Sequence, residues 1–189
     1  STATDTASIT VDPANDAPTV TNGATVTLTG TSEGTTSSAT SVSAMLTSAG
    51  HGDVDSGASS GIAITGLTGN GKWQYSTDGD SWVDMTSASG TSAILLSSTS
   101  QVRYVPGNDN GETATLSFKA WDTTTGTAST TGGANTADTS TTVGTSAFST
   151  GTASASLEVS DVNDAPVLTA GSPTLTSISE DATTNGGQT

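Results

Sequence analysis

The sequence predicts an all-β fold, an antiparallel β-sandwich, on three observations. Hydrophobic residues make up 31% of the chain and aromatics 4%, and Ser, Thr, Gly and Ala fill the difference, a composition that suits strands and turns better than helices. Several short segments alternate apolar and polar residues with the period of a half-buried strand. Turn dipeptides separate those segments. Low hydrophobicity with high net charge is also the signature of disorder, but the well-patterned strands argue against it. Only the tract from Thr123 to about Gly151 reads as low-complexity, and it is expected to form a long hairpin or loop.

Taken in order, "TVTLT" places Val26 and Leu28 on one face, and "GIAITGL" places Ile62 and Ile64 together. In "KWQYS" Trp73 and Tyr75 share a side, as do Val102 and Tyr104 in "QVRYV". "TLSFKA" sends Leu116, Phe118 and Ala120 one way and Ser117 and Lys119 the other, and "SASLEV" pairs Leu157 with Val159. The turns between them are Asn70-Gly71, Asp78-Gly79, Pro106-Gly107 and Asn110-Gly111. Trp73, Trp82 and Trp121 are expected in the core, because the chain holds only two Tyr and two Phe besides them.

Three basic residues stand against 18 acidic ones, for a net charge of −15. Binding to nucleic acid or to an anionic membrane surface needs a basic patch, so both are excluded as partners. Cations are the natural ligands. With no cysteine in the chain, neither disulfides nor thiolate metal sites arise. No signal peptide or hydrophobic span is read.

The chain also repeats itself. "SITVDPANDAPTV" from Ser8 aligns with "SLEVSDVNDAPVL" from Ser156, 148 positions on. After a one-residue gap, "TLTGTSEGTT" from Thr27 aligns with "TLTSISEDAT" from Thr174, matching Glu33 to Glu180. Residues 1–14 therefore read as the last strand of a preceding repeat with the start of a linker. Residues 15–162 read as one complete repeat, and residues 163–189 as a linker with the first strand of the next. The expected unit is a tandem array.

Acidic residues gather where strands end. Asp12, Asn15 and Asp16 lie in the first linker, and Asp161, Asn163 and Asp164 in the second. Asp53 and Asp55 lie in "DVDSG", Asp109 and Glu112 in "PGNDNGE", and Asp122 closes a strand. Carboxylates about 5 Å apart repel by roughly 3 kcal/mol per pair at an effective dielectric of about 20. Calcium, which takes six to eight oxygens from carboxylates, amides and backbone carbonyls, would turn that repulsion into binding.

These residues resemble a known family. "DVNDAP" is similar to the interdomain calcium linker of cadherins and bacterial cadherin-like repeats. "DVDSG" resembles the cadherin Asp-x-Asp motif, "AWDTTTG" its Ala-x-Asp-x-Gly motif, and Glu33 or Glu180 its early-strand glutamate. The stretch from "GKWQYSTDGDSWVDM" to "QVRYVPGNDNGETATLSFKAWD" resembles repeats of giant bacterial surface adhesins. The resemblance implies a cadherin-like or Ig-like Greek-key sandwich, Ca2+ at the junctions, an extracellular bacterial-surface location, and a structural role in cell adhesion as a rigid extender. Its partners would be neighbouring repeats, and other copies if the Ser8–Val11 strand were contributed to a filament.

Carried over residue by residue, the resemblance implies an upper site of Asn15, Asp16, Asp53, Asp55 and Asp122. It implies a lower site of Glu33, Asp161, Asn163 and Asp164, helped by Asp109. Two departures stand out. The second Asn of the cadherin linker is missing, and Asp12 lies one place farther from Asn15 than Asp161 does from Asn163, which implies fewer ions at the upper site.

Other features carry less. "DGDSW" and "DVDSG" begin like an EF-hand but lack its closing acid, so Asp78-Gly79 is expected to be a hairpin turn. His51 stands alone in a Gly-rich loop and is expected in solvent. No base stands in a recognisable motif with a serine, so no enzyme is expected. The alternative function is a calcium-assisted carbohydrate-binding module, with surface glycans stacking on two exposed indoles.

Overall fold

The computed structural model describes residues 6–10, 12–172, 174 and 177–184. The strands between Thr25 and Ser160 form two β-sheets facing each other across a shared core, as the alternating segments predict. The larger sheet runs β1 (Thr25–Thr27), β11 (Ala153–Ser160), β9 (Glu112–Trp121), β4 (Gly61–Leu67), β7 (Ala93–Ser97) and β10 (Thr136–Ala137), with β2 (Thr31–Ser32) also paired to β11. The smaller runs β3 (Thr40–Ser41), β8 (Gln101–Val105), β5 (Lys72–Ser76) and β6 (Val83–Asp84).

Most ladders are antiparallel, but β1 and β2 run parallel to β11. The wholly antiparallel expectation is corrected there. "TVTLT" is not one strand: the chain leaves the ladder after Thr27 and rejoins it at Thr31, while Val26 and Leu28 stay buried.

The core follows from the alternation. Leu116, Phe118 and Ala120 of β9 meet Ile62 and Ile64 of β4 and Leu157 and Val159 of β11. Trp73 and Tyr75 of β5 and Val102 and Tyr104 of β8 close it from the smaller sheet. Trp73 and Tyr104 pack with ring centroids 5.0 Å apart, a separation at which aromatic pairs add to simple burial.

Two elements escape the alternation. One is the helix α1 (Val42–Ser48), which buries Val42, Met45 and Leu46. Ser41 caps its start by accepting a hydrogen bond from the Ala44 N–H. At its end Gly50 takes φ +69°, and the amides of Gly50 and His51 donate back to the Thr47 and Leu46 carbonyls, a Schellman ending. His51 is thereby half-buried rather than free in solvent.

The other is β7, whose "AILL" run is buried on both faces. Ile94 and Leu96 face the main core, while Ala93 and Leu95 join Ala63, Trp121, Ala147 and Phe148 in a second core on the outer face of the larger sheet. The Thr123–Gly151 tract covers that face. Its only strand is the short β10, yet it is held by hydrogen bonds from Ser129 N–H to Leu95 O, from Tyr75 Oη to Thr130 O, and from Thr139 to Gly90 O. A Cβ at Gly61 would meet the Leu96 carbonyl and the Trp121 ring, so glycine there lets the indole approach the strand closely.

Trp73 and Trp121 are core residues as expected. Trp82 is not: it is half-buried on the smaller sheet, with the Arg103 guanidinium 3.9 Å above its ring. Asp78 forms the expected hairpin turn, accepting from the amides of Asp80 and Ser81.

Outside the sandwich, residues 6–10 and 12–14 and the described residues from Asp161 onward form no strand, and Val11, Leu175 and Thr176 of the two repeat matches lie outside the described residues. Among the described residues no helix is long and apolar enough to cross a membrane.

Two predictions test this packing. Phe148→Ala should cost about 3 kcal/mol in urea unfolding, as truncation of a buried aromatic does; a loss below about 1 kcal/mol would mean the tract does not build a second core. The second concerns the chain's two tyrosines. Burial raises the pKa of both, and burial together with the Glu112 hydrogen bond pushes Tyr104 up to about 12. A raised folded pKa stabilises the fold below pH about 10 and loses that contribution as pH rises through the folded value. Tyrosinate absorbance at 295 nm should therefore show no step near pH 10 in the folded chain; a step there would contradict the buried placement.

Candidate functional site

Strand β9 separates the two ends of the sandwich. At about 3.3 Å per residue its ten residues span roughly 33 Å. Asp122 follows its last residue at the upper pole, and the Pro106–Gly111 loop precedes its first at the lower pole. β11 runs back beside it, from Ala153 at the upper pole to Ser160 at the lower. The first linker thus meets the upper pole, and the second leaves from the lower.

At the upper pole hydrogen bonds link the residues of the predicted site pairwise, Asp16 through its amide only. Asn15 Nδ2 donates to Asp122 Oδ2 at 2.8 Å, and the Asp16 amide donates to Asp55 Oδ2 at 2.8 Å. The Asp55 amide in turn donates to Asp53 Oδ1 at 2.9 Å. Asp122 is buried, and its other oxygen accepts from the Thr124 amide at 2.8 Å and the Thr124 hydroxyl at 2.6 Å. The linker is also held from the far side, where the Ala17 amide donates to the Gly144 carbonyl at 3.0 Å.

Thr123, between Asp122 and Thr124, sits at φ +67°, the one non-glycine residue with positive φ among those described. A β-branched side chain disfavours that region strongly. The two hydrogen bonds from Thr124 to Asp122 hold the backbone there.

At the lower pole the contacts are fewer. Glu33 is 7% exposed, and its Oε1 accepts from the Val162 amide at 2.6 Å. Asp161 Oδ1 accepts from the Gly111 amide at 3.0 Å. A Cβ at Gly111 would lie 2.8 Å from both Asp161 N and Val159 O, so glycine allows the loop to pack against the strand end. Glu33 and Asp161 are therefore brought to the same place. Asn163 and Asp164 are exposed and make no side-chain contact with Glu33; Asn163 Nδ2 reaches only the Asp164 carbonyl. Asp109 is exposed, with no side-chain hydrogen bond among the described residues. The repeat register explains this placement. In the sequence match Asn163 and Asp164 align with Asn15 and Asp16, whose partners, Asp122 and the Asp55 carboxylate, lie C-terminal to them in the chain.

Among the described residues, two buried side-chain oxygens or nitrogens lack any hydrogen-bond partner: Glu33 Oε2 and Asp53 Oδ2. One lies at each pole, and each is a carboxylate oxygen. The three basic residues are engaged elsewhere. Lys72 pairs with Asp84 at 2.9 Å, Arg103 bonds Gln74 over Trp82, and Lys119 Nζ donates to the carbonyls of Ser149 and Thr150. Among the described residues, neither Lys nor Arg forms an ion pair with a carboxylate of either pole. Among the described residues, no group of three or more His, Asp or Glu converges into a ready ion-holding set, so an ion at either pole would draw further oxygens from amides and backbone carbonyls.

Sequence reasoning did not single out Thr123, Thr124 or the Gly144 carbonyl. Thr-Thr-Thr carries no signal of its own, and only the strand ending at Asp122 could have pointed there. No family model, no characterised protein and no solved structure matches the chain.

Relieving the strain beside Asp122 gives a direct check. Asn tolerates the left-handed region better than Thr, so Thr123→Asn should raise unfolding stability by about 0.5–1 kcal/mol in calcium-free urea melts. A loss of stability would contradict the assigned backbone.

Proposed function

We propose that residues 15–162 are one repeat of a tandem array of cadherin-like, Greek-key domains, stiffened by calcium at each junction. The array would serve as an extender in a large extracellular adhesin. The observation that carries this reading is the pair of buried, unpartnered carboxylate oxygens, Asp53 Oδ2 at the upper pole and Glu33 Oε2 at the lower. A buried anionic oxygen with neither donor nor countercharge is costly. Placing one at each end, beside each linker, suits a divalent cation as the missing partner.

Asn15, Asp16, Asp53, Asp55 and Asp122 would hold the ion at the upper pole. Glu33 and Asp161 would hold it at the lower, with Asp109, Asn163 and Asp164 within the same linker and loop. The donor set is all hard oxygen, which calcium prefers, and its tolerance of amide and carbonyl ligands fits poles with few converging carboxylates. Calcium supplies charge neutralisation and fixed coordination. The chain's own bonds, Asp16 N–H to Asp55 and Val162 N–H to Glu33, already draw each linker onto its pole. Ala-Pro at both linkers narrows the backbone further. With Trp73 and Trp121 buried and Trp82 covered by Arg103, no pair of exposed indoles favours the carbohydrate-binding alternative.

Melting curves with millimolar calcium and with chelator test the reading on the wild type, Glu33→Gln and Asp53→Asn. Saturation at about 100 times Kd stabilises by about 2.7 kcal/mol, which for a chain of this size raises Tm by roughly 5–10 °C. Each variant should lose about half of the total rise, the share its own pole supplies, while melting no lower than the wild type in chelator, since it removes a buried unpaired charge. No calcium-dependent rise in the wild type would sink the proposal.

A further inference from the structure

Large apolar side chains are exposed only at particular places. Among the described residues, Ile9, Val167, Leu168 and Ile178 are exposed in the segments outside the sandwich. In the repeat register Ile9 corresponds to Leu157 and Leu168 to Val20, both buried in the complete repeat, whereas Val167 and Ile178 correspond to the exposed Thr19 and half-buried Thr31. The remaining three belong to the ends of the repeat: Val54 at 81% and Val143 at 72% at the upper pole, and Val162 at 50% at the lower. No large apolar residue of the sandwich flanks is exposed among those described.

Val54 and Val143 stand on opposite sides of the first linker. Val54 precedes Asp55, which binds the Asp16 amide, and Val143 precedes Gly144, which binds the Ala17 amide. Together with the linker from Asp16 to Val20 they line an open groove of about 490 Å3. The length of the linker says what can reach it. In the second junction four residues, Asp161–Asp164, separate the end of β11 from Ala165, the counterpart of Ala17. Fully extended, they carry the chain at most about 17 Å from Ser160 to Ala165. The upper pole of one repeat therefore stands within a short reach of the lower pole of the repeat before it.

We propose that the Val54–Val143 groove is the seat for the lower pole of the preceding repeat. The junction is then a direct apolar contact that sets the angle between domains, alongside the cations that neutralise it. The occupant is a second copy of this fold, joined through the linker that the groove flanks. Two exposed valines facing water in an isolated repeat become buried in the array, and the flanks stay free of apolar patches that would join arrays side by side. This inference rests on the tandem-array reading.

The test lengthens the full chain by one repeat in register, as residues 1–164 followed by residues 17–189. The chain has no native cysteine, so Ser87→Cys in both repeats gives two spin labels for pulsed dipolar distance measurement. In saturating calcium the wild type should show one narrow distance distribution. The double change Val54→Ser and Val143→Ser in the second repeat should broaden it at least twofold. The melting temperature of the unlengthened chain carrying the same double change should stay within about 1 °C, because both side chains are exposed there. Val54→Thr with Val143→Thr, which preserves shape, should broaden the distribution in the same direction. Equal widths for wild type and variants, with calcium still narrowing both, would overturn the apolar seat and leave the calcium reading standing. Broadening by the valine changes with no effect of calcium on width or melting would support the seat and remove the calcium reading. Broad distributions in every arm would overturn both.

Discussion

The ladder between β9 and β11 sets the geometry on which both poles depend. Its register pairs Phe118 with Ala153, Leu116 with Ala155 and Ala114 with Leu157, so that the buried side chains of both strands, Trp121 excepted, point into the same core. A slip of β9 by one residue would turn Leu116 and Phe118 to the other face. It would also move Asp122 away from Asn15, and Asp161 away from Gly111. The apolar alternation in the middle of the sheet thereby fixes the positions of acidic residues roughly 33 Å apart at its ends.

What the ladder positions, it does not neutralise. With 18 acidic and three basic residues, and with Lys72, Arg103 and Lys119 bonded to other partners, no pole carboxylate gains a Lys or Arg ion pair among the described residues. Hydrogen bonds from linker amides meet one oxygen of Asp55 and one of Glu33, and the Asp55 amide meets one of Asp53. They leave Glu33 Oε2 and Asp53 Oδ2 without a partner. The strained Thr123 beside Asp122 is a further mark of a pole whose geometry is imposed by its neighbours. These features share one physical cause: the chain brings anionic oxygens and linker amides to the same place without an ion pair to a basic side chain.

The half-buried strands were legible because each has one wet face and one dry one. Trp73 and Tyr75, Val102 and Tyr104, and Leu157 and Val159 announce themselves by alternation. β7 was not legible, since Ala93 to Leu96 are buried on both faces and a continuous apolar run has no period to read. The cause of that double burial is the Thr123–Gly151 tract, which reads as low-complexity because Ala147 and Phe148 are nearly its only apolar anchors. Trp121, facing away from Phe118 and Ala120 along β9, was the one hint that the outer face is covered. The helix Val42–Ser48 was missed because Ser, Thr and Ala dominate it, and its cap at Ser41 looks like any other serine in the chain. At the poles, the acids were legible as clusters at strand ends. Their hydrogen-bond partners were not, since backbone amides and the Gly144 carbonyl carry no signature in sequence.

The central claim is that a cation completes the two unpartnered carboxylates. A crystal structure grown in calcium chloride tests it most directly. Electron density for an ion is expected at each pole, about 2.3–2.6 Å from Glu33 Oε2 and from Asp53 Oδ2, the range of calcium–oxygen bonds. Water or protein donors beside both oxygens, with calcium in the crystal and no ion at either pole, would contradict it.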